Sequence, residues 1–206
     1  TDVINITTPV TKWNYQVTDA KEIPEVLAKA FYIAKSGRPG PVLIDITKNA
    51  QLQVEEFAPY KKCNHIRSYR PKPRVRIEYI EQAAKLINTA TKPFILFGQG
   101  VILGNAENEF KAFIDKTGIP AAWTIIGMHG NYGPNVLTNE ADVIIAIGMR
   151  FDDRVTGRLD KYAKQAKIIH LDIDPAEIDK NIKAEVGIWG DCKETLPILT
   201  NLVNKN

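Results

Sequence analysis

At 206 residues, 44% hydrophobic and 25% charged, the chain has ordinary globular composition and room for one large domain or one domain plus part of another. Its formal charge of +3 is too small to make nucleic acid the main expected partner. No uninterrupted apolar run approaches the roughly 20 residues a membrane span needs, and Thr1 to Thr8 lacks the basic and apolar regions of a signal peptide. Without an initiating Met, the sequence reads as a processed or excised piece. Cys63 and Cys192 belong to no CxxC pair, so two free thiols in a reducing compartment are expected, either cytoplasm or an organelle matrix.

The first stretch ends near Gln51. Asp19 and Glu22 have the spacing of a capping box. Ile23, Val26, Leu27, Ala30, Phe31 and Ala34 then recur at helical intervals. Gly37 supplies the helix stop, and Gly37-Arg38-Pro39-Gly40-Pro41 is a turn that no helix crosses. Val42 to Ile46 reads as a strand buried on both faces. A helix and a strand alone cannot bury each other, so residues 1–51 read as the tail of a larger α/β domain.

Residues 52–75 read as a linker. Lys61, Lys62, Arg67, Arg70, Lys72 and Arg74 are interleaved with Tyr60, Tyr69, Pro59, Pro71 and Pro73. Basic residues among aromatics can contact single-stranded nucleic acid. Prolines with charges more often mark an extended interdomain connection, and the small net charge supplies no wider basic footprint.

From residue 76 to the end, helices and strands alternate. Ile77, Ile80, Ala83, Ala84 and Ile87 form a helix face, followed by a strand over Pro93 to Phe97. Phe110, Phe113 and Ile114 mark a helix that Gly118 and Pro120 close. Further strands are expected over Ala141 to Gly148, Lys167 to Asp172 and Val186 to Trp189, with a final helix carrying Leu196, Leu199 and Leu202. The alternation predicts an α/β fold with a Rossmann-like, doubly wound parallel sheet, preceded by a fragment of a second α/β domain. Such sheets bind ligands beyond the carboxyl ends of their strands.

Those ends carry the candidate residues. Gly98-Gln99-Gly100 suits a phosphate or ribose approach, but a sharp strand-to-helix turn needs the same glycines, and Leu103 breaks the full GxGxxG pattern. Gly148 to Gly157 brackets Asp152 and Asp153 with Arg150 and Arg154, which suits either a phosphate clamp or a solvated salt-bridge cluster. Asp172 ends a strand where a carboxylate can accept from ribose, and Asp174-Pro175 is an N-cap and first-turn pair for a short helix. Gly190-Asp191 repeats the pattern of a small residue followed by an acceptor. His129 lies in a glycine-punctuated loop, where a lone histidine is more often structural than catalytic, and His170 reads as a strand residue. No HExxH or HxxxH spacing, GxSxG elbow or Walker A loop occurs.

Two of these segments, Gly127-Met128-His129-Gly130-Asn131-Tyr132-Gly133-Pro134-Asn135 and Gly148-Met149-Arg150-Phe151-Asp152-Asp153-Arg154-Val155-Thr156-Gly157, resemble the large subunits of acetolactate (acetohydroxyacid) synthases. Thr11 to Tyr15, Gly37 to Pro41 and His170 to Asp174 support the same resemblance. It implies that residues 1–51 end a pyrimidine-binding domain and that 76–206 are a central domain holding FAD, in a role needing no net redox chemistry. The flavin contacts it implies are Arg38, Gly98, Gln99, Gly100, Thr124, Ile126, Gly127, Met128, His129, Gly148, Met149, Arg150, Phe151, Asp152, Asp172, Ile173, Asp191 and Cys192. The intact enzymes use thiamine diphosphate and Mg to decarboxylate pyruvate and join its two-carbon unit to pyruvate or 2-oxobutyrate, in branched-chain amino-acid synthesis. Implied partners are those 2-oxo acids, further copies of the chain and a regulatory small subunit, with neither nucleic acid nor membrane. The family's catalytic glutamate belongs before Thr1 and its GDG…N metal segment beyond Asn206, so this stretch alone is expected to be inactive. Relatives also carry a longer segment between Thr124 and Ile126.

Overall fold

The computed structural model describes residues 1–56, 61–123 and 131–205. The chain divides into two compact units, Thr1–Pro71 and Lys72–Asn206.

The first unit contains α1 (Val3–Thr7), β1 (Trp13–Val17), α2 (Ile23–Lys35), β2 (Val42–Ile46) and α3 (Lys48–Leu52). β1 and β2 pair in parallel, Trp13 opposite Val42 through Val17 opposite Ile46. Sequence reasoning missed β1, although Trp13-Asn14-Tyr15-Gln16-Val17 alternates apolar and polar residues as a half-buried strand does. Both polar residues find partners, Asn14 Nδ2 donating to the Ile4 carbonyl and Gln16 Nε2 to the Asp45 carboxylate. The expected capping box is only half formed. Asp19 accepts from Lys21 N at 3.0 Å and caps a 3-10 turn over Ala20–Glu22, while Glu22 accepts instead from the Tyr15 hydroxyl. Gly37 does stop α2, at φ +60°. Lys12 places its ammonium on the carbonyls of Ile33 and Ser36, at 2.6 and 2.7 Å, where the helix leaves acceptors unpaired.

The core of this unit is small. Val17, Val26 and Ala50 form its buried cluster, while Leu27 and Phe31, expected on the buried helix face, are 37% and 57% exposed. Every residue of β2 is half-buried rather than covered on both faces. The physical reason is that β2 pairs with a single strand, and the helices packed against it among the described residues are chiefly α2 and the short α1. Within the stretch read as a linker, residues 66–71 fold back on this unit. Ile66 and Tyr69 form an isolated antiparallel bridge, Tyr69 meets Tyr32 edge-on at 6.1 Å, and its hydroxyl is 3.2 Å from Ser36 Oγ.

The second unit contains α4 (Ile77–Thr89), β3 (Pro93–Phe97), α5 (Gln99–Leu103), α6 (Glu107–Thr117), β4 (Ala121–Trp123), α7 (Tyr132–Glu140), β5 (Val143–Ile147), α8 (Asp153–Thr156), β6 (Lys167–Asp172), β7 (Val186–Trp189) and α9 (Cys192–Leu202). Its five strands are all parallel in the order β4-β3-β5-β6-β7. The doubly wound parallel sheet expected from the alternation is therefore present. By order of appearance its strands run second, first, third, fourth, fifth, the flavodoxin-like arrangement, which reverses direction between β3 and β5.

Both faces are covered. Ile95, Ile145, Ile169 and Ile188 join Ile80, Phe113, Leu196 and Leu199 in one core, beneath α4, α6 and α9. Phe94, Leu96, Ile144 and Ile168 join Met149, Phe151, Val155 and Ala163 in the other. Each fully buried aliphatic side chain contributes about 1.5–3 kcal/mol, so the unit's stability resides in these two layers. Burial at Ile80, Ala83, Ala84 and Ile87 gives α4 its apolar stripe, and Gly118 at φ +62° ends α6. One expectation is corrected. The short helix after Asp174-Pro175 is a turn, because Asp179 takes φ +62°, which no right-handed helix continues through.

Candidate functional site at the carboxyl edge of the sheet

Because all five strands run the same way, the segments that leave their carboxyl ends gather along one edge. These segments are laced together through the main chain. Gly98 N donates to Ile147 O at 3.0 Å, Gly100 N to Gly148 O at 2.9 Å, Gly148 N to Leu171 O at 2.8 Å, and Gly190 N to Asp172 O at 3.0 Å. Gly98–Gly100, Gly148–Asp152, Asp172–Ile173 and Asp191–Cys192 thus form one continuous rim, with the β3/β5 reversal at its centre.

The close approach of the β3 and β5 ends explains the glycines. A Cβ on Gly100 would lie 2.6 Å from Gly148 Cα, and one on Gly98 would lie 2.6 Å from Gly148 O. Gly148 itself has φ +56° and would place a Cβ 2.8 Å from Gly100 Cα. Loop-to-loop packing by itself demands glycine at all three positions, the turn alternative left open by the sequence.

The segment after β5 is tied down around one side chain. Met149 and Phe151 are buried in the core below. The Met149 carbonyl is 2.9 Å from His170 Nε2, and the Phe151 carbonyl accepts from Asn181 Nδ2 at 2.6 Å. Asp152 Oδ1 accepts from Val155 N and caps α8. Arg150 points outward, its side chain 55% exposed and its guanidinium 3.8 Å from Asp152 Oδ2, longer than a hydrogen bond. Sequence reasoning missed His170 and Asn181, although a lone histidine inside an aliphatic strand is a legible signal that a polar partner must be near.

The two aspartates differ. Asp172 is buried, with Oδ1 accepting from Asp174 N at 2.8 Å. Asp191 is also buried, and its carboxylate is heavily engaged. Oδ1 accepts from Lys193 N to cap α9, and Lys72 Nζ lies 2.8 Å from Oδ2 while also reaching Glu194 at 3.1 Å. The Asp191 hydrogen bond chiefly raises the Lys72 ammonium above its ordinary value. Cys192 faces the core. Burial, then the nearby Asp172 and Asp191 charges, push its thiol up to about 12, so it is inert and can offer the rim only main-chain atoms. The Ile173 carbonyl accepts from the Trp189 indole N–H, and Gln99 is exposed at the first residue of α5.

Of the other candidates, Arg38 lies in the first unit, in the turn between α2 and β2. Thr124, Ile126, Gly127, Met128 and His129 lie outside the described residues. At the opposite, amino edge of the sheet there is a groove of about 410 Å³ lined by Thr91, Lys92, Gly118, Leu137 and Glu140. Its carboxylate and ammonium lie apart from the rim chemistry, and no group of three or more His, Cys, Asp or Glu able to hold a metal occurs among the described residues.

Residues 80–199 match the thiamine pyrophosphate enzyme central domain. The chain belongs to that family. It is 45% identical over 211 residues to the acetolactate synthase large subunit of Corynebacterium glutamicum, covering 95% of this chain and 34% of that protein. It is 38% identical to the acetolactate synthase large subunit of Porphyra purpurea, covering 100% of this chain and 38% of that protein. That second alignment runs over 222 positions against 206 residues here, so the relative carries residues with no counterpart in this chain. Benzoylformate decarboxylase from Polynucleobacter necessarius shares the fold, with a TM-score of 0.76 at 16% identity, over 100% of this chain and 41% of that one. The chain spans little more than a third of the length of the curated relatives it matches.

Proposed function

We propose that this chain is the central part of an acetolactate synthase large subunit and that its carboxyl-edge rim holds FAD. The donor set supports the fit. A dinucleotide needs a cation for its diphosphate, amide donors and acceptors for its polar edges, and a carboxylate for ribose hydroxyls. Arg150, exposed at the reversal point, supplies the first. Gln99 supplies an amide, and Asp172 a carboxylate at the end of its strand. Asp191 fits less well, because Lys72 and the α9 cap already engage its carboxylate. Thr124, Ile126, Gly127, Met128 and His129 complete the proposed set.

When bound, FAD in this reading supplies no net redox chemistry. The chain's own residues bind and orient it: Arg150 offsets the diphosphate charge, Asp172 accepts from the ribose, and the Gly98–Gly100 turn brings main chain close. In the whole protein, the proposed reaction decarboxylates pyruvate with thiamine diphosphate and Mg and transfers the two-carbon unit to pyruvate or 2-oxobutyrate. Further copies of the chain and a regulatory subunit are the proposed partners. Residues 1–206 alone are proposed to be inactive.

The observation that carries the reading is the outward arginine at the point where the sheet order reverses. Titrating the chain with FAD and following quenching of flavin fluorescence tests it. Saturable binding is expected, with Arg150→Ala weakening it about tenfold, the scale of one charge-assisted contact. Absence of FAD binding by the unsubstituted chain would overturn it, and preference for ADP over FAD would point instead to a flavin-independent relative.

A further inference from the structure

We infer that His170 is a positioning residue for this rim: from inside the sheet it holds the Met149 carbonyl and so sets how the next residue, Arg150, leaves the edge. The inference rests on the nucleotide-binding reading of the rim for its functional meaning, but the contact itself can be tested separately.

β6 reads Lys-Ile-Ile-His-Leu-Asp, and every residue after Lys167 is buried, His170 completely. An imidazole among aliphatic side chains costs about 1–3 kcal/mol unless it is hydrogen-bonded. Alternation places His170 on the face of Ile168, which is the face carrying Met149 and Phe151. Its polar contact is with the segment after β5, Nε2 lying 2.9 Å from Met149 O. A carbonyl only accepts, so Nε2 carries the proton. Nδ1 is buried with no hydrogen-bond partner among the described residues. The ring also meets Phe151 edge-on, with centroids 5.1 Å apart at 77°.

The residues on either side of Arg150 are thus each gripped twice. Met149 is held by its buried side chain and by His170, and Phe151 by the His170 ring and by Asn181. Among the described residues, Arg150 shows only the long approach to Asp152. A guanidinium on a backbone fixed on both sides loses less conformational entropy when it meets a diphosphate. An aliphatic residue at 170 would fill space but leave the Met149 carbonyl without its donor. Glutamine could still donate.

The test compares His170→Leu, His170→Gln, Arg150→Ala and the double variant H170L/R150A in the full chain, reading the FAD dissociation constant alongside circular dichroism. H170L is expected to weaken FAD binding about tenfold with secondary structure retained, and H170Q to stay within about threefold of the unsubstituted chain. H170L/R150A should bind no worse than R150A, because His170 acts through Arg150. Additive losses, or unchanged binding in H170L, would overturn the inference. Nitrogen-15 NMR of the imidazole decides the contact without any ligand. A protonated Nε2 with an unprotonated Nδ1, and faster amide exchange at Val155 and Thr156 in H170L but not in H170Q, are expected. The opposite tautomer, or exchange unaffected by H170L, would refute it even if the chain binds FAD. Failure of the chain to bind FAD with that NMR signature intact would sink the flavin reading and leave the contact standing.

Discussion

Two strands of similar apolar character are buried to different depths. Val42-Leu43-Ile44-Asp45-Ile46 and Val143-Ile144-Ile145-Ala146-Ile147 both read as strands covered on two faces. β5 is buried at every position, whereas β2 is half-buried at every position. β5 lies between β3 and β6 with a core on each side, while β2 pairs with β1 alone. An apolar run states what a strand requires, and its neighbours determine how far the requirement is met.

Matched truncations put the contrast at most risk. Ile145→Ala, at a site 1% exposed, should cost about 2–5 kcal/mol, the range for a closed core cavity. Ile44→Ala should cost about 1 kcal/mol, because a partly buried site loses less transfer energy and leaves no sealed void. Denaturant melts of the two variants check this, and equal losses would mean that β2 is buried more deeply than described.

Two glycines extend the contrast from the strands to their turns. Gly37 and Gly148 both have positive φ and both would drive a Cβ into backbone, Gly37 at 2.6 Å from Pro71 O and Gly148 at 2.8 Å from Gly100 Cα. Alanine at either should cost about 2 kcal/mol, from left-handed strain plus the clash. Only Gly148→Ala should also weaken nucleotide binding, since only it disturbs the rim. Proteolysis near Tyr69 should instead rise in Gly37→Ala.

The smallest expected effect concerns Lys72. Lys72→Met removes the cation from buried Asp191, but the lysine is half exposed, so screening limits the loss to about 1 kcal/mol. Its pKa is raised by Asp191, so the stabilisation is complete below the ordinary lysine value and fades as pH rises through the elevated one. Melting temperatures of the two proteins should therefore differ by a constant amount across neutral pH and converge only in strong alkali.

Much of this architecture was legible in the sequence. The strands over 93–97, 143–147, 167–172 and 186–189 were, because largely buried parallel strands are written as mostly apolar segments, here closed by glycine or aspartate. β1 was missed although its apolar–polar alternation was there to read; the polar partners of Asn14 and Gln16 are what only the fold supplies. At the rim, the residue types could be read but not their commitments. No spacing reveals that Gly98, Gly100 and Gly148 pack on one another, or that Asp191 is already paired with Lys72. Met149, Phe151 and Cys192 matched a family pattern, yet their side chains point into the cores, which only the tertiary arrangement discloses.

The central claim, that the carboxyl edge around the β3/β5 reversal takes the dinucleotide, is tested most directly by mapping amide chemical shifts as FAD is added. Shifts concentrated at Gly98–Gly100, Gly148–Asp152 and Asp172–Ile173 are predicted. Shifts centred on the groove at the amino edge, around Thr91, Lys92 and Gly118, would contradict it.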